Sequence, residues 1–121
     1  MHDFDAIAAA YIDAFNATDA PRRRDLVATV FAADVSYVDP MAAVTGRDGV
    51  DAFIGAAHGQ FPGWAFRLSG PVDGHHDQAR FAWSLGPDGA DAPVLGFDVV
   101  NLDADGRITA VHGFIDKAPA A

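Results

Sequence analysis

The chain contains no cysteine, which excludes disulfide frameworks and thiolate metal sites. Positive charge is scarce: eight Lys and Arg face seventeen Asp and Glu, for a net charge of −9 with the histidines neutral. Phosphate neutralisation needs a basic face, so this balance argues against nucleic acid and anionic membranes as partners. The single basic cluster, Arg22-Arg23-Arg24, lies among helix-forming residues and reads as a solvated helix face. No apolar run is long enough to span a bilayer, and the start, Met1-His2-Asp3-Phe4-Asp5, lacks the basic opening of a signal peptide. The expectation is a soluble, cytoplasmic protein. Lysine occurs once against seven arginines; with abundant Ala and Gly, this points to a GC-rich bacterial genome. Also missing are an H-E-x-x-H or comparable metal spacing, a Gly-rich phosphate loop and a G-x-S-x-G elbow. Neither a metal nor a cofactor is expected. No internal repeat or linker interrupts the sequence.

What remains is apolar. Half of the 121 residues are hydrophobic, enough for one domain, 1–121, with its own core. Phe4, Ile7, Ala8, Tyr11, Ile12 and Phe15 recur at helical spacing after a capping Asp3. Asn16-Ala17-Thr18-Asp19 breaks this helix. Pro21 suits the first turn of a second one, with Leu26, Val27, Val30 and Phe31 as its buried edge. Val35-Ser36-Tyr37-Val38 predicts a short strand ended by Asp39-Pro40, followed by a loop, Met41 to Thr45. A third helix follows Gly46, with Val50, Phe53, Ile54, Ala57 and Phe61 as its stripe, and stops at Pro62-Gly63.

Strand patterns fill the rest. Trp64 to Val72 and Gln78 to Leu85 alternate, the latter with Phe81, Trp83 and Leu85 on one side. Val94 to Leu102 and Arg107 to Ile115 are joined by the tight turn Asp103-Ala104-Asp105-Gly106. Residues 117–121 read as a frayed tail. Helices first and strands after imply an α+β fold, with helices packed on one face of an antiparallel meander. If Asp98 faces the helices, so do Gly96, Val100 and Leu102. Leu95, Phe97 and Val99 then form an apolar outer face, and a homodimer through that face is expected to cover it.

Three residues stand out chemically. Asp98 interrupts the apolar run Pro93-Val94-Leu95-Gly96-Phe97-Asp98-Val99-Val100. A carboxylate there must be paired or hydrogen-bonded; otherwise its pKa rises and it keeps its proton, becoming a hydrogen-bond donor. Tyr11, on an apolar helix face, is either a core tyrosine or a donor to a developing oxyanion. Asp39 before Pro40 is either a structural Asx turn or a general base at a pocket mouth. His75-His76 reads as solvated, and His58 and His112 show no converging ligands. The aromatic residues either fill the core or line a pocket.

The order helix-helix-strand-helix-meander resembles the nuclear transport factor 2-like superfamily, the cone-shaped fold of the SnoaL-like polyketide cyclases and ketosteroid isomerases. The resemblance spans nearly the whole chain. It is carried by Tyr11 to Asp19, by Phe31 to Pro40, by Gly46 with the third helix through Phe53-Ile54, and by Gly96-Phe97-Asp98 leading to Asp105-Gly106-Arg107-Ile108. It implies Asp39 as the base, Tyr11 as the oxyanion-hole tyrosine and Asp98 as its protonated partner, an arrangement for which ketosteroid isomerase is the reference case. It further implies a hydrophobic pocket for a small apolar carbonyl compound. The aromatic residues expected to line it are Phe15, Tyr37, Phe53, Phe61, Phe66, Phe81 and Trp83. Val100 and Val111 are expected beside them. The resulting expectation is isomerase- or cyclase-like proton transfer without a cofactor. The alternatives are a non-catalytic pocket for a lipophilic ligand and a dimerisation domain, since the fold hosts enzymes and binders alike.

Overall fold

The computed structural model describes residues 2–89 and 91–119; Met1, Ala90 in the turn-rich connection, and Ala120-Ala121 of the tail lie outside the described residues. Helix α1, Phe4–Asn16, starts where Asp3 accepts a hydrogen bond from the Ala6 N–H at 3.0 Å. Helix α2, Ala20–Val30, starts in the same way on Asp19, with Pro21 in its first turn. Strand β1, Phe31–Asp39, and strand β2, Ala42–Thr45, form a hairpin before helix α3, Gly46–Gln60. Strands β3 (Ala65–Leu68), β4 (Asp73–His75), β5 (Gln78–Gly86), β6 (Val94–Leu102) and β7 (Ile108–Lys117) complete one seven-stranded sheet of order β2-β1-β7-β6-β5-β3, with β4 also on β5.

The α+β architecture matches the sequence reading, with one correction to the sheet. It is mixed, because β1 runs parallel to β7. The two strands are joined through α3 and the remaining strands, so no hairpin dictates their direction. Several local expectations also shift. Phe31 belongs to β1, not to α2, and the expected loop at 41–45 contains β2. Only Ala65–Leu68 of the expected strand from Trp64 to Val72 is paired as β3, and Lys117 ends β7 instead of starting a tail. His75, at the end of β4, and His76, in the turn that follows with a φ of 53°, are both exposed.

The core lies between the helices and the inner sheet face. Burial along β6 alternates strictly: Val94, Gly96, Asp98, Val100 and Leu102 point inward. The register is interrupted in β1–β7 between Phe31 and Ser36, and in β6–β7 between Leu95 and Gly96 and between Asn101 and Leu102. Two polar ties fix the helices in place. Asn16 at the end of α1 donates to the Phe66 carbonyl at 2.9 Å and accepts from the Phe66 N–H at 2.8 Å, imitating a ladder pair. Arg23 on α2 meets Asp51 on α3 at 2.8 Å in a half-buried ion pair. Among the described residues, no helix is long and apolar enough to cross a membrane.

Candidate active site

Inward parity on β6 places Asp98 beneath the helices, where it is only 3 % exposed. The stripe of α1 lowers Tyr11 onto it. Its hydroxyl, on a residue 2 % exposed, donates to Asp98 Oδ2 at 2.7 Å. The second carboxylate comes from the tip of the β1–β2 hairpin. Asp39 Oδ1 accepts the backbone N–H groups of Met41 at 2.7 Å and Ala42 at 2.9 Å, and Oδ2 accepts the Tyr37 hydroxyl at 2.6 Å. The Asx turn read from Asp39-Pro40 therefore exists, and the same carboxylate also borders a cavity.

Gly113 on β7 brings the two acids together. It is the register partner of Asp98, and a Cβ built on it would lie 2.9 Å from Asp98 Oδ1 and 2.8 Å from the Asp39 Cβ. Real Cβ atoms do not approach neighbours so closely, so the Asp39 methylene and an Asp98 carboxyl oxygen occupy the room of an absent side chain. Gly96 performs a related service for Trp83, its partner across β5–β6. A Cβ there would fall 2.5 Å from the indole, which lies over the bare backbone. The Trp83 indole nitrogen is buried and meets no acceptor in hydrogen-bond geometry, yet the ring lies near enough to Asp98 to favour its charged form.

These surroundings set the charge states. Burial pushes the Asp98 carboxyl up to about 6; the Tyr11 and Trp83 donors pull against that rise, and the Asp39 charge adds to it. The direction is the one expected for an acid in an apolar strand. Burial, followed by the nearby Asp98 charge, raises the Tyr11 hydroxyl well above the usual tyrosine range, and burial with Asp39 does the same to Tyr37. Both tyrosines are therefore fixed as proton donors.

The cavity is open, with a volume of about 650 Å³, and Tyr11, Asp39 and Asp98 share its wall. Phe15, Tyr37, Phe53, Phe61, Phe66 and Trp83 line it as expected. Phe81, Val100 and Val111 do not: they are core residues, and Phe81 supports Tyr11 from outside the cavity with ring centroids 5.1 Å apart. Strand parity assigns them to the inner face correctly, but the cavity reaches only one end of that face. Sequence reasoning missed Met41 and Gln60, and also Val94, which shares the parity of Asp98 and was legible from it. It also missed Ala118 and Pro119, since the supposed tail forms part of the wall. Gly113 left no signal at all, because its role depends on β7 lying beside both carboxylates. His58 stays off the cavity with a buried, unpartnered Nε2. Among the described residues, no group of three or more His, Asp or Glu side chains converges as a metal site.

A helix-capped mixed sheet enclosing such a cavity has clear relatives. The family profile of the SnoaL-like domain matches residues 8–111, and the chain belongs to this family, within the nuclear transport factor 2-like superfamily. A steroid Δ-isomerase from Nocardioides simplex is 33 % identical over 92 residues, covering 73 % of this chain and 72 % of that protein. A crystal structure from Agrobacterium tumefaciens, described as a proposed isomerase of the SnoaL-like family, is 42 % identical with a TM-score of 0.90, covering 96 % of this chain and 99 % of the other. A proposed ketosteroid isomerase from Kribbella flavida shares the fold at 23 % identity and a TM-score of 0.70, over 96 % of this chain and 79 % of its own.

Proposed function

We propose that the cavity is the active site of a cofactor-independent isomerase or cyclase acting on a small, apolar carbonyl compound. The observation that carries this reading is the meeting of Tyr11, Asp39 and Asp98 on one apolar cavity. The isomerase names borne by the Nocardioides and Agrobacterium relatives support the same class of chemistry.

In this mechanism Asp39 takes a proton from the carbon next to the carbonyl, and the C–H electron pair moves onto the carbonyl oxygen. Protonated Asp98 and the Tyr11 hydroxyl donate to that enolate oxygen. Ligand entry drives water from the cavity, which favours the neutral form of Asp98 and frees Tyr11 from its acceptor. The proton then returns from Asp39 to a different carbon, giving an isomer. In the cyclase variant, the enolate carbon attacks a second carbonyl and the resulting alkoxide takes the proton. Tyr37 and the two hairpin N–H groups hold Asp39 in one orientation throughout.

The test is proton exchange, followed by NMR in deuterated water with β,γ-unsaturated cyclic ketones. Asp39→Asn is expected to slow exchange or isomerisation by about a hundredfold or more. Tyr11→Phe, which removes one oxyanion donor, is expected to cost about 3 kcal/mol of barrier, again about a hundredfold. Unchanged turnover in Asp39→Asn would refute the mechanism. A second reading, non-catalytic binding of a lipophilic ligand, draws on the fact that both hydroxyls already have carboxylate partners. Binding without exchange, at any pH, would select it.

We also assign a homodimer to the outer sheet face. Phe97 and Phe114 stack there with centroids 5.0 Å apart, while Phe114 is 51 % and Val38 48 % exposed. Light scattering that finds a monomer at micromolar concentration would overturn this assignment.

A further inference from the structure

The cavity wall is aromatic and acidic, and among the described residues it contains no positively charged side chain. We propose that the site selects ligands by charge, binding lipophilic amines in their protonated form, accepting neutral ketones and rejecting carboxylates. This rests on the cavity being the ligand site and goes beyond it to the class of ligand held there.

The first observation is the composition of the wall: Asp39 and Asp98 line it, and no Lys, Arg or His does. The second is the state of Asp98. It is buried, Tyr11 donates to Oδ2, and Oδ1 accepts no hydrogen bond among the described residues. A buried carboxylate with one hydrogen-bonded neutral donor, Tyr11, and the neutral Trp83 indole nearby lacks most of the compensation that water gave it, and a cation alongside restores it. No neighbouring element supplies that cation. Helix α1 presents Tyr11, β1 presents Tyr37 and Asp39, β5 presents the uncharged Trp83, and β7 presents Gly113 with no side chain.

The third observation is a continuous belt of rings. Trp83 meets Phe66 at 5.7 Å, Phe66 meets Phe15 at 5.4 Å, Phe15 meets Tyr37 at 6.1 Å, and Tyr37 meets Phe53 at 5.0 Å. Tyr11 stacks on Phe15 at 4.6 Å and ties the belt to Asp98. Aromatic faces attract an ammonium group, most strongly where water is excluded. The ammonium would donate to Asp98 Oδ1, with its apolar body against the belt. A carboxylate in the same position would face two acids, with only neutral donors, the Tyr11 hydroxyl and the Trp83 indole N–H, to set against them.

The test is calorimetry on the intact protein with three probes sharing one bicyclic body: 1-aminoindane, 1-indanone and indane-1-carboxylate. At neutral pH the amine is expected to bind about tenfold tighter than the ketone, and the carboxylate at least about tenfold weaker. Asp98→Asn is expected to lose the amine's advantage over the ketone, read as the ratio of the two affinities in the same variant. The unmodified protein gives an independent check, since the advantage should shrink as pH falls through about 6, where Asp98 takes up its proton while the amine stays charged. A carboxylate that binds as well as the amine would overturn the inference. So would an amine preference that neither Asp98→Asn nor low pH diminishes. Ketone binding without charge preference would overturn this inference alone, whereas failure of all three probes would overturn the cavity reading with it.

Discussion

Replacing Gly113 by alanine tests how the two carboxylates are brought together. The new methyl would lie 2.8 Å from the Asp39 Cβ, 2.9 Å from Asp98 Oδ1 and 3.5 Å from the Val38 carbonyl oxygen. Unstrained carbon contacts need about 3.5–4 Å, so both neighbours must give way, the Asp39 Cβ by most of an ångström. Neither yields easily: Asp39 is held by its hairpin N–H groups, and Asp98 by Tyr11 and its place in the ladder. Overpacking of this kind costs about 1–3 kcal/mol. The natural control is Gly59→Ala on α3, where nothing lies within 4 Å of the added Cβ. There the gain in helix propensity should stabilise the protein by about 0.5–1 kcal/mol. Urea unfolding of both variants, with NMR titration of the Asp98 carboxyl, separates the outcomes. Gly113→Ala should lower the unfolding free energy and move the Asp98 titration, while Gly59→Ala should raise the former and leave the latter alone. If alanine at 113 changes neither stability nor the titration, the close approach of the acids is not what glycine secures, and the reasoning fails.

Two further predictions concern stability. Asp98 titrates at about 6 when folded against an ordinary value of 3.8, so the folded state holds the proton more tightly. A raised carboxyl pKa means that stability is fullest below the unfolded value and falls as pH rises through the folded one. The loss amounts to about 3 kcal/mol between roughly pH 4 and pH 6. Asp98→Asn keeps an acceptor for Tyr11 and carries no charge, so its urea midpoint should be flatter across that window and higher than that of the unmodified protein at neutral pH; a parallel pH profile would contradict this. Asn16→Ala removes both bonds to Phe66 and leaves a half-buried N–H and C=O unpaired. It should cost about 1–3 kcal/mol in urea unfolding, and a loss below about 0.5 kcal/mol would show that water replaces the amide.

The parts of the site legible in the sequence were those governed by short-range periodicity. Helical spacing put Tyr11 on a buried face, and two-residue alternation put Asp98 inward on β6. The Asp-Pro pair marked Asp39 at a strand end. Periodicity tells which face a residue occupies but not how far along that face, which is why Phe81, Val100 and Val111 proved to be core. Strand β2 was hidden because Ala42-Ala43-Val44-Thr45 buries little and owes its conformation to pairing with β1. Gly113 and the parallel β1–β7 pairing depend on contacts between distant segments, and no local pattern encodes those. The cavity end of the chain was misread for a similar reason: Ala118-Pro119 looks like a tail until the wall it completes is seen.

The Asx turn at the β1–β2 tip bears on how loss-of-function experiments are designed. Asp39 Oδ1 binds the same two amides that close the hairpin, so this side chain is at once a reagent and a hinge pin. Truncation to alanine would let the Pro40-Met41 corner swing and carry Met41 away from the rim, confounding chemistry with architecture. Asparagine keeps the carbonyl oxygen that pins the corner while discarding the charge. For this protein the isosteric amide, rather than the customary alanine, is the substitution that leaves the corner pinned, and its one architectural cost is the Tyr37 hydroxyl, which loses the oxygen it donates to.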